Sequence, residues 1–62
     1  MIEKDKKYKV AKDFVGLCAK GTPIIPALDK DTHEIVIGKT GKVMFNLPVG
    51  SLFFSENEVE VA

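Results

Sequence analysis

Sixty-two residues leave room for one domain, and a chain of this size buries only about 60% of the surface its unfolded form exposes. Apolar residues make up 45% of the chain and mean hydropathy is +0.05, a globular rather than a disordered composition. Cys18 is the single cysteine, so an intramolecular disulfide is excluded, and one Cys with one His falls short of a four-ligand structural zinc site.

Nine lysines balance nine acids, with no arginine, but the charges are unevenly placed. Residues 1–28 carry six Lys against three acids, and residues 43–62 carry three Glu and no Lys. A basic start facing an acidic end is expected if the two ends pair. Zero net charge argues against strong nucleic-acid binding. The charged start lacks the apolar run of a secretion signal, and no segment approaches the roughly 18 apolar residues of a membrane span. With the lone thiol, this predicts a cytoplasmic protein without membrane association.

In chain order, residues 1–6 read as a frayed polar lead and residues 7–62 as the domain. The stretch "EKDKKYKVAKDF" also has helix-compatible residues, so a first helical turn is an alternative there. "KYKVAK" alternates, with Tyr8 and Val10 on one face and Lys7 and Lys9 on the other, the period of a half-buried strand. "DFVGLCAKG" reads as an irregular arm. "TPIIPALD" is strand-like, but Pro23 and Pro26 cannot donate to a ladder, so an edge, bend or bulge is expected. "DKDT" (29–32) is a polar turn and "HEIVIG" a strand. "GKTG" (38–41) is a hairpin signal leading into the strand "KVMFN". Pro48 and Gly50 interrupt at "LPVGS", "LFF" is a short apolar piece, "SENE" a turn, and "VEVA" alternates again. Five or six short strands at this spacing predict an all-β barrel or sandwich.

Several of these stretches resemble SH3 domains. "VAKDF" (10–14) is similar to their "ALYDF" opening, and "AKGTPIIPAL" (19–28) to the "KKGD" step into a hydrophobic second strand. "GKTGKVMFNLPVGSL" (38–52) resembles the distal hairpin and a strand running into a proline-containing helical turn. The resemblance implies a five- to six-stranded SH3-like barrel with paired first and last strands, closest to minimal bacterial and phage barrels that serve as adaptors or inhibitors. Proline-rich peptide binding is not implied. Lys12 stands where the first groove tyrosine would be, only Phe14 matches the second, and there is no tryptophan.

The chemistry-bearing residues are sparse. His33, with Asp31 and Glu34 nearby, offers too few ligands for a metal and reads as an exposed turn residue. Cys18 has Lys20 two residues away but no orienting acid or amide, and reads as structural. Gly38 and Gly41 around "KT" lack the helix a phosphate loop needs. Neither an enzyme nor a cofactor is expected. Lys4, Lys6, Lys7, Lys9 and Lys12 are candidate nucleic-acid contacts, weighed against a solvated edge that resists aggregation.

The densest signal is "VMFNLPVGSLFF" (43–54), which holds three of the four phenylalanines. In extended chain Phe53 and Phe54 face opposite sides, and both sides cannot be the core of so small a domain. Met44 with Phe53 or Phe54 is therefore a candidate contact with a protein partner or a second copy. The leading expectation is a non-catalytic protein-interaction module, with weak nucleic-acid binding as the alternative.

Overall fold

The computed structural model describes residues 2–62. Five strands, β1 (Tyr8–Val10), β2 (Pro23–Pro26), β3 (Val43–Leu47), β4 (Gly50–Phe54) and β5 (Val59–Val61), form one antiparallel sheet in the order β4-β3-β2-β1-β5. A single 3-10 turn, Glu56–Glu58, is the only helical element among the described residues. The fold is all-β, and its ladder has two edges, β4 and β5.

Alternation sets the buried face. Tyr8 and Val10 from β1, Ile24 from β2, Val43, Phe45 and Leu47 from β3, Phe54 from β4 and Val59 from β5 form the core. Its centre is aromatic. Phe45 meets Tyr8 and Phe54 edge-on at centroid distances of 5.9 and 5.8 Å, and Phe54 meets Phe14 of the arm at 5.3 Å. Such tilted pairs match ring edge to ring face and contribute about 0.5–1.5 kcal/mol each beyond burial.

The two ends of the domain pair as the charge asymmetry suggests. Tyr8 lies opposite Val61, Lys9 opposite Glu60 and Val10 opposite Val59. Val59 is buried at 8% exposure, but Val61, the last residue of an edge strand, is 57% exposed, so β5 contributes one valine to the core and not two.

Four expectations are corrected. First, β2 is the central strand despite its prolines. Its first half pairs with β1, through Tyr8–Ile24 and Lys9–Pro23, and its second half with β3, through Ile25–Asn46 and Pro26–Phe45. Val10 donates to Thr22 and Ala27 donates to Met44, which puts Pro23 and Pro26 at non-hydrogen-bonded positions facing β1 and β3 respectively. Each ring nitrogen therefore points to the side on which β2 has no partner.

Second, "HEIVIG" is not a strand. It makes single bridges, Ile35 with Leu28 and Ile37 with Val43, because it changes partner at Val36, whose N–H donates to Ala27 O and whose C=O accepts from Met44 N–H. His33, at φ 61°, starts it in a left-handed turn closed by His33 N–H on Asp29 O.

Third, the fully paired hairpin is β3–β4, turning on Pro48 and Val49, so "LPVGS" connects strands and does not break them. Proline fixes the first turn position and Gly50, at φ 145°, takes the conformation other residues avoid. The 38–41 segment does turn the chain back on itself, as expected, but the pairing it closes is short: one antiparallel bridge, Ile37 with Val43, flanked by Gly38 N–H on Lys42 O and Met44 N–H on Val36 O. The helical turn falls at 56–58, well after Pro48.

Fourth, residues 2–6 are not a loose lead. Glu3 N–H donates to the Tyr8 hydroxyl at 2.8 Å, Ile2 packs on the core, and Lys4 Nζ reaches Glu34 Oε2 at 3.0 Å. Lys6 N–H donates to Glu3 O in a turn, and no helix forms there.

The 3-10 turn is closed reciprocally: Glu58 N–H donates to Ser55 O, and Ser55 N–H donates to Glu58 Oε1 at 2.8 Å. That bond holds the Glu58 carboxyl below its ordinary value of 4.5, with Lys42 and Lys12 adding smaller attractions against the cost of burial. A lowered folded-state pKa stabilises above the unfolded value and is lost as pH falls through the folded one. Stability should decline as pH falls from about 4.5, and Glu58→Gln should flatten that decline in urea unfolding measured at pH 7 and pH 3. In the same assay Val59→Ala should cost on the order of 1.5–3 kcal/mol, and Val61→Ala no more than about 0.5 kcal/mol.

Candidate interaction surface

The β3–β4 register decides which phenylalanine is exposed. Val43 pairs with Phe54, Met44 with Phe53 and Phe45 with Leu52. Since Val43 and Phe45 face the core, Phe54 does too, at 2% exposure, and it is corrected from a candidate contact to a core residue. Phe53 faces out beside half-buried Met44 and is 44% exposed. Its ring lies against Gly38: a Cβ at that position would stand 3.0 Å from the ring edge. Gly38 is needed for space, and the other half of the Phe53 ring remains open.

A second apolar region is built by two loops. The arm between β1 and β2 doubles back on itself, with Phe14 N–H donating to Cys18 O at 2.8 Å and Cys18 N–H to Phe14 O at 3.0 Å. Asp13 Oδ1 accepts Lys20 N–H at 2.7 Å and ties the arm's base. At the tip, Val15 is 99% and Leu17 58% exposed. Across from the tip lies the β3–β4 turn, where Val49 is 82% exposed. Leu17, Val49 and Leu52 line one groove of about 340 Å³ between arm and turn, with Gly16, Gly50 and Ser51. The sequence reading missed Val15, Leu17 and Val49; the available signal was an aliphatic residue at each glycine-marked turn, "VGL" and "PVG", where polar turn formers are usual.

The lysine-rich start is largely matched by acids. Lys6 Nζ lies 2.9 Å from Glu3 Oε2, and Lys4 is bonded to Glu34; each ion pair raises the lysine's pKa above its ordinary value. Lys12 Nζ is 3.8 Å from Glu58 Oε2 and 5.4 Å above the Phe14 ring, and Lys9 sits across from Glu60. Lys7 alone of the five has an exposed side chain with no acid described beside it. The positive field is broken up along the strand, and the lysines do not form a basic face.

Cys18 and His33 sit apart in the chain's loops. Cys18 is half-buried and packs on the core beneath the arm. His33 is exposed on the 29–34 turn, which Asp29 organises by accepting the Asp31 and Thr32 N–H groups at 2.8 and 3.0 Å. These two bonds lower the Asp29 pKa. Asp31 thus contributes its backbone to the turn that precedes His33.

Compared with protein-family models, with curated proteins and with solved structures, the chain matches none. No helix among the described residues is long and apolar enough to cross a membrane.

The two faces of β4 are separable by mutation. Phe54→Ala should cost roughly 3–5 kcal/mol in urea unfolding, whereas Phe53→Ala should cost about 1 kcal/mol. Gly38→Ala should displace the Phe53 ring, visible as altered ring-proton chemical shifts, with the Phe45 and Phe54 signals unmoved.

Proposed function

We propose that this chain is a non-catalytic protein-interaction module with an SH3-like small barrel. Its contact surface is the groove between the arm tip and the β3–β4 turn, and the outer face of the β3–β4 hairpin carries a second apolar spot, Met44 of β3 beside Phe53 of β4. The observation that carries the reading is the convergence of Leu17, Val49 and Leu52 on that groove, with Val15 beside it on the arm. Large aliphatic side chains held at turn tips gain nothing for folding there, and exposed apolar clusters mark contact sites.

The pairing of first and last strands, the arm after β1, the tight β3–β4 hairpin and the helical turn before β5 support the SH3-like reading. A proline-rich ligand is not supported. Phe14, the one residue matching a groove aromatic, has its ring edge-on to Phe54 and capped by Lys12. Nucleic-acid binding is the weaker reading, since four of the five candidate lysines face an acid.

The test is comparative capture of partners from lysate by the parent chain and by Leu17→Lys/Val49→Lys. Both sites are exposed, so the double variant should keep its dispersed NMR spectrum and its unfolding midpoint. A specific partner should be lost from the double variant by at least about tenfold, a loss typical of an interface anchor, and kept by a control, Lys39→Ala, on the distant turn. Equal capture by all three proteins would show that the groove is not the contact surface.

A further inference from the structure

Met44 uses both its backbone groups away from β4: its N–H donates to Val36 O and its C=O accepts from Ala27 N–H. Met44 and Phe53 are therefore a non-hydrogen-bonded pair, and so, two residues on, are Asn46 and Ser51. The N–H and C=O of Ser51 and Phe53 then point outward from β4, where no backbone group among the described residues meets them. Native proteins blunt such edges with lysine, proline, bulges or covering loops. β4 has no lysine, proline or bulge: Gly50–Phe54 contains no charge and no proline, and its five residues pair in unbroken register.

We infer that β4 pairs with β4 of a second copy of this chain, antiparallel, about a two-fold axis through Leu52. The register is self-complementary. With Leu52 opposite its own counterpart, Ser51 falls opposite the second copy's Phe53, and these are the residues with free outward groups. Four main-chain hydrogen bonds form, two at each Ser51–Phe53 pair. Leu52, half-buried at the rim of the core, meets Leu52 of the other copy at a non-hydrogen-bonded position, where side chains approach most closely. The central core row thus continues across the axis.

Charge favours this partner and this edge. The chain has zero net charge and no ionisable residue between Val43 and Ser55, so two copies approach at β4 without repulsion. Self-pairing through β5 is disfavoured, because it brings two copies of Glu60 together on a strand of three residues. The inference rests on the backbone of β4 and goes beyond the groove assigned above to a different protein.

The experiment is sedimentation equilibrium of the parent chain up to about 1 mM, the range of weak association, alongside Ser51→Pro. Proline at 51 removes an outward N–H and no bond to β3. Expected are a monomer–dimer equilibrium for the parent chain and a midpoint moved at least about tenfold higher for Ser51→Pro, the signature of a blocked edge, with its NMR spectrum still dispersed. Register is read independently from Leu52→Cys in a Cys18→Ser background. Opposed Cα atoms about 4.5 Å apart lie within disulfide range, so oxidation should crosslink this variant faster than Lys39→Cys in the same background. A monomer at every concentration, an unmoved midpoint, crosslinking no faster than the control, or a ladder of larger species would each overturn the inference. Leu17→Lys/Val49→Lys keeps the outward backbone groups of Ser51 and Phe53, so its monomer–dimer midpoint should match the parent chain's whatever becomes of groove capture, and failure of the groove reading does not imply failure of this one.

Discussion

A strand of four residues that begins and ends with proline lies at the centre of this sheet, and the rest of the fold follows from how it is accommodated. Neither Pro23 nor Pro26 can donate a hydrogen bond, so neither nitrogen can face an occupied side of the ladder. β2 meets that condition by giving its first half to β1 and its second half to β3. The sheet then changes partner at its middle. The β5-β1 half and the β3-β4 half share one buried face, and Tyr8 of one half reaches Phe45 of the other at 5.9 Å. A flat sheet of the same strands would leave those rings on a bare surface.

The aromatic run Tyr8–Phe45–Phe54–Phe14 uses up the space so enclosed. One phenylalanine remains, and the pleat puts it outside: Phe53 covers the Gly38 turn with part of its ring. The aliphatic residues at the arm tip and the β3–β4 turn lie further out than the pleat requires. Glycine, asparagine or aspartate would make either turn equally well. Val15 and Val49 are thus unexplained by folding, and their exposure is what the proposed contact surface is argued from.

The sequence is legible where pairing follows local period. β1 and β3 alternate as "KYKV" and "KVMFN" indicate, and first strand joins last with Lys9 opposite Glu60, although Val61 of "VEV" stays exposed. It is not legible where a residue's role depends on register with a distant strand. A proline reads locally as an edge, and only the partner-by-partner pattern shows that both prolines fit a central strand. "HEIVIG" has the composition of a strand, yet Ile35 and Ile37 are claimed by different neighbours. Phe53 and Phe54 are equivalent until Val43 fixes the parity of β4. Of the candidate contacts, Met44 and Phe53 share the outer face and Phe54 does not, while the groove was hidden because Leu17 and Val49 lie thirty-two positions apart.

The charge asymmetry visible in the sequence has a structural consequence at the sheet's two edges. The acids of the C-terminal segment are gathered around β5, where Glu60 faces Lys9 and Glu58 closes the helical turn with Lys12 nearby. That edge is short, charged and internally compensated, so it has little to offer a second strand. The other edge belongs to the hairpin that supplies half of the core, Val43, Phe45, Leu47 and Phe54, and a segment so rich in apolar residues carries no ionisable group to spare for protection. Core density and an unprotected edge are therefore the same fact about residues 43–54. In a chain of sixty-two residues the strand that packs the interior is also the sheet's margin, and what is saturated on the inner face of β4 is left open along its backbone.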